Sequence, residues 1–293
     1  MILASGLAVL AAFLNAVGDL AQRRSARVEP GPAGPALVLR MVRRPGWVAG
    51  VVASLAGLGA HVAALSLGAI AAVQPLLVLE LPLAVAGAAL LFRVRPTARD
   101  VGAIVLLTAG LAALVFCLRP GGGDATAVSG PAWAVGLAVV GGTAVLLGVA
   151  ARWSVADQRA GLLGAAAGIG YGLTAVLMAT AGAVIVDDPG AALGTWQLYA
   201  AAGAGLASFV TLQNALASGL LVAVEPGLTL LNPIVGVGWG LLLFGEHART
   251  GVWLLGAFAG AAALVAGTVL LARSPLLRTD PRSAAGTPAG RGA

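Results

Sequence analysis

Nine apolar runs, each about as long as a bilayer is thick, constrain this chain more than any other feature. They fall at about 2–22, 46–67, 70–92, 99–118, 131–151, 162–186, 196–217, 219–243 and 251–272. A run of roughly 20 apolar residues is long enough to cross a hydrocarbon core as a helix. Lipid offers no hydrogen bonds, so backbone inside it must pair its own polar groups, and a helix does this within one segment. Charged residues make up 10% of the chain, against about a quarter in soluble domains. The fold expected is an all-α polytopic membrane protein of about nine transmembrane helices. Residues 1–272 form one transmembrane domain, and 273–293, a Ser/Pro/Gly/Ala/Arg mixture, form a disordered cytoplasmic tail.

The basic residues orient these spans. All 17 are arginine. Fifteen lie in the loops after spans one, three and five, around the start of span six, or in the tail: Arg23, Arg24, Arg27, Arg40, Arg43, Arg44, Arg93, Arg95, Arg99, Arg152, Arg159, Arg273, Arg278, Arg282 and Arg291. Only Arg119 and Arg249 fall on the other side, which also holds Asp187 and Asp188. Cytoplasmic loops carry the excess of Arg and Lys, so the expected topology in the plasma (inner) membrane is N-terminus outside and C-terminus cytoplasmic. The basic balance then belongs to loops facing lipid headgroups, and nucleic acid is not an expected partner. The first run has its arginines after it, unlike a signal peptide. Residues 36–44 suit a short interfacial helix, with Leu37, Val38 and Met41 toward lipid.

Two of the runs carry an unusual device. Pro75 and Pro82 lie seven residues apart in span three, and Pro226 and Pro233 do the same in span eight. Each proline removes a backbone donor and crowds the carbonyl four residues back, so each is a candidate helix kink. The freed carbonyls would be those of Ala71, Val78, Val222 and Thr229. A shift of 151 residues superposes Pro75 on Pro226, Pro82 on Pro233, Gln74 on Glu225 and Gly68 on Gly219. Nine spans place the two copies in opposite senses. The repeat, about 1–120 against 131–272 in a 4+5 arrangement, is therefore expected to be inverted, as in many secondary transporters.

Polar groups inside the spans are the candidate site, because bilayer burial makes them costly. Glu225, Thr229 and Asn232 share one face of span eight, and Asn15, Asp19 and Gln22 share one face of span one. Glu80 and Asn232 lie near mid-span. Glu80 is a candidate proton carrier or cation ligand, and Glu225 and Glu80 are the candidate metal ligands. Gln74, Gln213, Asn214 and His61 are further candidates for contact with a solute; each serves equally as glue between helices. Tyr171, Thr174 and Met178 are weaker ones. Gly164, Gly168 and Gly172, Gly236 with Gly240, and Gly256 with Gly260 are read as packing stripes. No nucleophile triad, phosphate loop or dinucleotide fingerprint occurs, so neither an enzyme nor a cofactor is expected. Cys117, the single cysteine, cannot form an internal disulfide.

The stretches Ala72-Val73-Gln74-Pro75-Leu76, Gly172 to Met178, Val210 to Leu216 and Leu241 to Glu246 resemble the drug/metabolite transporter (EamA-like) superfamily. Over residues 1–272 the chain is most similar to its NIPA-like magnesium transporter branch. Where that branch tends to carry a glutamate and an asparagine three apart in span two, this chain has Leu58 and His61. The resemblance implies a secondary transporter working by alternating access on a small solute or a divalent, magnesium-like cation. The alternatives are a proton-coupled metabolite or drug exporter and, in another class, a non-transporting membrane scaffold. The expected partners are the substrate and the bilayer, with room for a homodimer.

Overall fold

The computed structural model describes residues 2–28, 43–92, 97–218 and 221–272. Helix α1 is Ile2–Val28 and α2 is Pro45–Leu67; α3 (Ile70–Leu76) and α4 (Glu80–Phe92) are joined by one 3-10 turn, Leu77–Leu79. There follow α5 (Ala98–Leu118), α6 (Gly130–Ala150), α7 (Ala156–Asp187), α8 (Trp196–Ser218), α9 (Leu221–Leu242) and α10 (Val252–Ala272). Apart from Arg43 and Arg44, the expected interfacial helix lies outside the described residues, as does the tail.

The caps explain several of these boundaries. Pro45 opens α2, where its missing N–H costs nothing. Thr97 and Asp100 form a reciprocal capping box at α5: Asp100 N–H donates to Thr97 Oγ1 at 3.2 Å, and Thr97 N–H donates to Asp100 Oδ2 at 2.9 Å. Ser129 caps α6.

Seven helices among the described residues are long and apolar enough to cross a membrane, and Pro226–Leu242 is a shorter apolar helix. The chain is thus a polytopic α-helical membrane protein. Helix α8 carries Gln197, Thr211, Gln213 and Asn214 along its length, and α9 carries Glu225.

Helix α7 is the hub, packing against α2, α6, α8 and α9. Its stripe Gly164–Gly168–Gly172 receives α9 so closely that a Cβ on Gly168 would come within 2.5 Å of the Gly227 carbonyl oxygen. A second pair, α5 with α10, meets backbone to backbone at Gly110, Gly260 and Gly267. Without a hydrophobic drive between helices in lipid, such close approach supplies the packing energy.

Adding 151 to Pro45–Leu67 gives 196–218, the bounds of α8. The same shift carries 70–92, spanned by α3 and α4, onto 221–243, one residue beyond α9. The residues near 67–70, 119–129, 180–188 and 243–251 gather at one end of the bundle. There Gly121 and His247 exchange backbone hydrogen bonds of 3.1 and 2.8 Å, and Thr180 Oγ1 donates to the Ala125 carbonyl at 3.2 Å.

Candidate functional site

The two proline pairs behave differently. In the first copy Pro82 has no N–H to offer the Val78 carbonyl, and the chain tightens into the Leu77–Leu79 turn. The Leu77 N–H reaches back three residues to the Gln74 carbonyl, the 3-10 pattern that often marks a functional hinge. In the second copy α9 runs as one helix through both Pro226 and Pro233. Of the four candidate kink residues, only Pro75 and Pro82 flank an interruption of the α-helix.

The break places Glu80 at the first turn of α4, where it meets α1. The Asn15 amide Nδ2 donates to Glu80 Oε2 at 3.2 Å. Gly57 of α2 backs this contact, since a Cβ there would strike the Asn15 side-chain oxygen. Gln22, two turns along from Asn15, instead bridges to α2, donating to Ser54 Oγ at 3.1 Å. The expected stripe on α1 is thus divided between a contact with the broken helix and a tie to its hairpin neighbour. The Asp19 side chain lies outside the described residues.

On the other side of the break α3 packs antiparallel on α9. Ile70 lies against Gly240, and Gln74, one turn on, lies against Gly236. Gln74 is 1% exposed, and neither polar atom of its amide has a partner among the described residues. The Asn232 oxygen, one turn from Gly236, is likewise buried without a partner among the described residues. A buried amide with nothing to bond costs about 1–3 kcal/mol, so this crossing holds unspent hydrogen-bonding capacity.

The remaining candidates are spread out. Thr229 sits half-buried on α9, and the Glu225 side chain lies outside the described residues. His61 Nε2 is buried in α2 without a partner among the described residues. Gln213 and Asn214 are exposed on α8, where the Asn214 amide donates to its own helix at Val210. Thr174 also bonds within its helix, to Gly170. Among the described residues no three His, Cys, Asp or Glu side chains lie close enough to hold a metal ion. A cation at Glu80 would therefore need amide and carbonyl oxygens for its other ligands.

One residue escaped the sequence reading of the site. Glu246, in the turn after α9, is 7% exposed and grips the start of α3: Oε1 accepts from the Ile70 N–H at 2.6 Å and Oε2 from the Ala71 N–H at 3.0 Å. Burial pushes its carboxyl above the usual carboxylate range, while the bonds from Ala71 and Ile70 pull the other way. Gly245, at φ +70°, makes the turn that aims it inward. Glu246 borders a cavity of about 300 Å³ with Ser66, Gly68, Asp124 and Phe244. In the sequence it closes the stretch Leu241 to Glu246, a lone acid just beyond an apolar helix.

The chain is similar to an uncharacterized protein of Corynebacterium glutamicum, 27% identical over 258 residues that cover 84% of this chain and 88% of that protein. No family model matches the chain. No solved structure matches it.

Proposed function

We propose that this protein is a secondary transporter that moves a small solute or a divalent cation across the plasma membrane by alternating access. The observation that carries the reading is the broken third span. Its 3-10 turn sits between a half-buried carboxylate, Glu80, bonded to Asn15 and a buried amide, Gln74, facing α9. Discontinuous helices with polar groups at the break are where transporters place their substrates.

Two further features support it. The helix bounds of the second half repeat those of the first at the shift that aligns the prolines. One pair of matching contacts between the halves is also unequal. Helix α2 meets α7, whereas among the described residues α8 makes no comparable contact with α1. Proton-coupled export is the second reading, favoured by the placement of the Glu80 carboxylate within the bundle. The resemblance to the drug/metabolite transporter superfamily agrees with either.

The test is flux into vesicles reconstituted with the purified protein. Magnesium uptake that falls on Glu80→Gln supports the cation reading. Efflux of a metabolite or dye that depends on a pH gradient and on Glu80 supports the exporter. No flux of any cation or solute tried, with or without a gradient, would favour the scaffold and sink transport.

A further inference from the structure

We propose that Glu246 is a positioning residue that latches one end of the transport path, docking α3 onto α9 so that the end closes and Gln74 is seated. The word path rests on the transporter reading; the latch itself rests on geometry.

Helix α3 is only seven residues long, cut off from α4 by the 3-10 turn. So short a helix has little stability of its own and keeps its place through what it touches. Its N-terminus is held by the Glu246 carboxylate through the Ile70 and Ala71 N–H groups. Its flank is held by glycines: Ile70 fits against Gly240 and Gln74 against Gly236, each pair one helical turn from the other. Glu246 returns over the same Gly240, whose carbonyl accepts the Glu246 N–H at 2.9 Å. One side chain therefore fixes the height and the rotation of α3, and with them the Gln74 amide one turn below.

The surrounding loops brace the latch. The Phe244 carbonyl accepts from the Asp124 N–H at 2.9 Å, and Gly121 pairs with His247. The sequence carries this device in one half only, because the residue 151 positions before Glu246 is Arg95, which has no acceptor to offer a helix N-terminus. The two ends of the path are thus chemically unlike, and this end fastens through the Glu246 carboxyl group.

Thiol accessibility in detergent, in a Cys117→Ala background, tests the latch without any substrate. One reporter is Ala72→Cys, buried directly beneath the latch; the other is Gln213→Cys, exposed on α8. With a membrane-impermeant maleimide, Glu246→Ala is expected to raise labelling at position 72 by at least about tenfold. Glu246→Gln, which keeps one acceptor, should raise it less, with position 213 unchanged in both. Unchanged labelling at 72 in Glu246→Ala would overturn the proposal. A parallel rise at 72 and 213 in both variants would overturn it too, by making Glu246 a support of the whole fold. Flux in vesicles separates this from the transporter reading. A responsive label in a protein without flux keeps the latch and removes transport, whereas Glu80-dependent flux with an unresponsive label removes only the latch.

Discussion

Asn15 on α1 and Glu80 at the start of α4 are joined by a 3.2 Å hydrogen bond from amide to carboxylate. The contact exists because the third span breaks just before Glu80, so the acid enters on a fresh helical turn that faces α1. Glu80 is half-buried at that turn, an acidic side chain within a membrane span, where polar groups are costly and concentrate at functional positions.

Glu80→Gln is therefore expected to separate function from stability. Flux should fall by about tenfold or more, because one functional charge is worth several kcal/mol inside a bilayer. The melting temperature should change little, because the amide keeps a polar partner for Asn15 and the side chain is only half-buried. Flux at the native rate in Glu80→Gln would remove Glu80 from the mechanism.

Gln74→Leu should behave in the same sense for a different reason. The buried Gln74 amide has no partner among the described residues, so a leucine of similar size is expected to stabilise the protein by about 1–3 kcal/mol. Transport should be lost if that amide serves the substrate. Thermal unfolding in detergent and vesicle flux give the two halves of the answer. A destabilised Gln74→Leu would mean that the amide is satisfied in the native protein and is structural.

The glycine contacts make a graded packing prediction. A Cβ on Gly260 would lie 2.7 Å from the Leu114 nitrogen and 2.8 Å from the Gly110 carbonyl oxygen, both backbone atoms that cannot swing away. Gly260→Ala should force α5 from α10 and cost about 1–3 kcal/mol. Gly141→Ala on α6, where nothing lies within 4 Å of the added Cβ, should leave the melting temperature unchanged. Equal effects from the two would count against the α5–α10 contact.

Acidity should tighten the latched end. The Glu246 carboxyl titrates above its ordinary value because burial outweighs its two backbone hydrogen bonds. A pKa raised in the latched state means that this state binds a proton more readily than an opened, solvated one. The latch is then strongest below the ordinary carboxyl pKa of about 4.3 and weakens as pH rises through the raised value. Asp124, the nearby loop carboxylate, shifts downward through its bonds from Thr126, so it stays ionised across that window; His247 is the other titratable neighbour. Labelling of Ala72→Cys, corrected against a free thiol of known ionisation, should slow as pH falls from about 8 to about 5. Glu246→Gln should flatten that dependence. A slope of the opposite sign would show that the hydrogen bonds, not burial, govern this carboxylate.

The sequence alone determined the membrane character and most of the helix positions. Apolar length and backbone self-satisfaction are local constraints, readable wherever charge is absent for about 20 residues. The glycine stripes on α7 and α9 were legible for the same reason, since a four-residue spacing is a property of one helix. The candidate residues Asn15, Glu80, Gln74 and Asn232 could be named because polar side chains stand out in an apolar run. What they touch could not, because contacts across tens of residues depend on how the helices cross. Only the tertiary structure decided that Asn15 reaches Glu80 while Gln22 turns to Ser54, and that Gln213 and Asn214 stay exposed. It also decided that one proline pair breaks its helix and the other does not. A proline fixes only which hydrogen bond is missing; whether the chain tightens or continues depends on neighbouring helices that can hold the weakened segment. For the first pair those neighbours are α9 and, through Glu246, the turn that follows it.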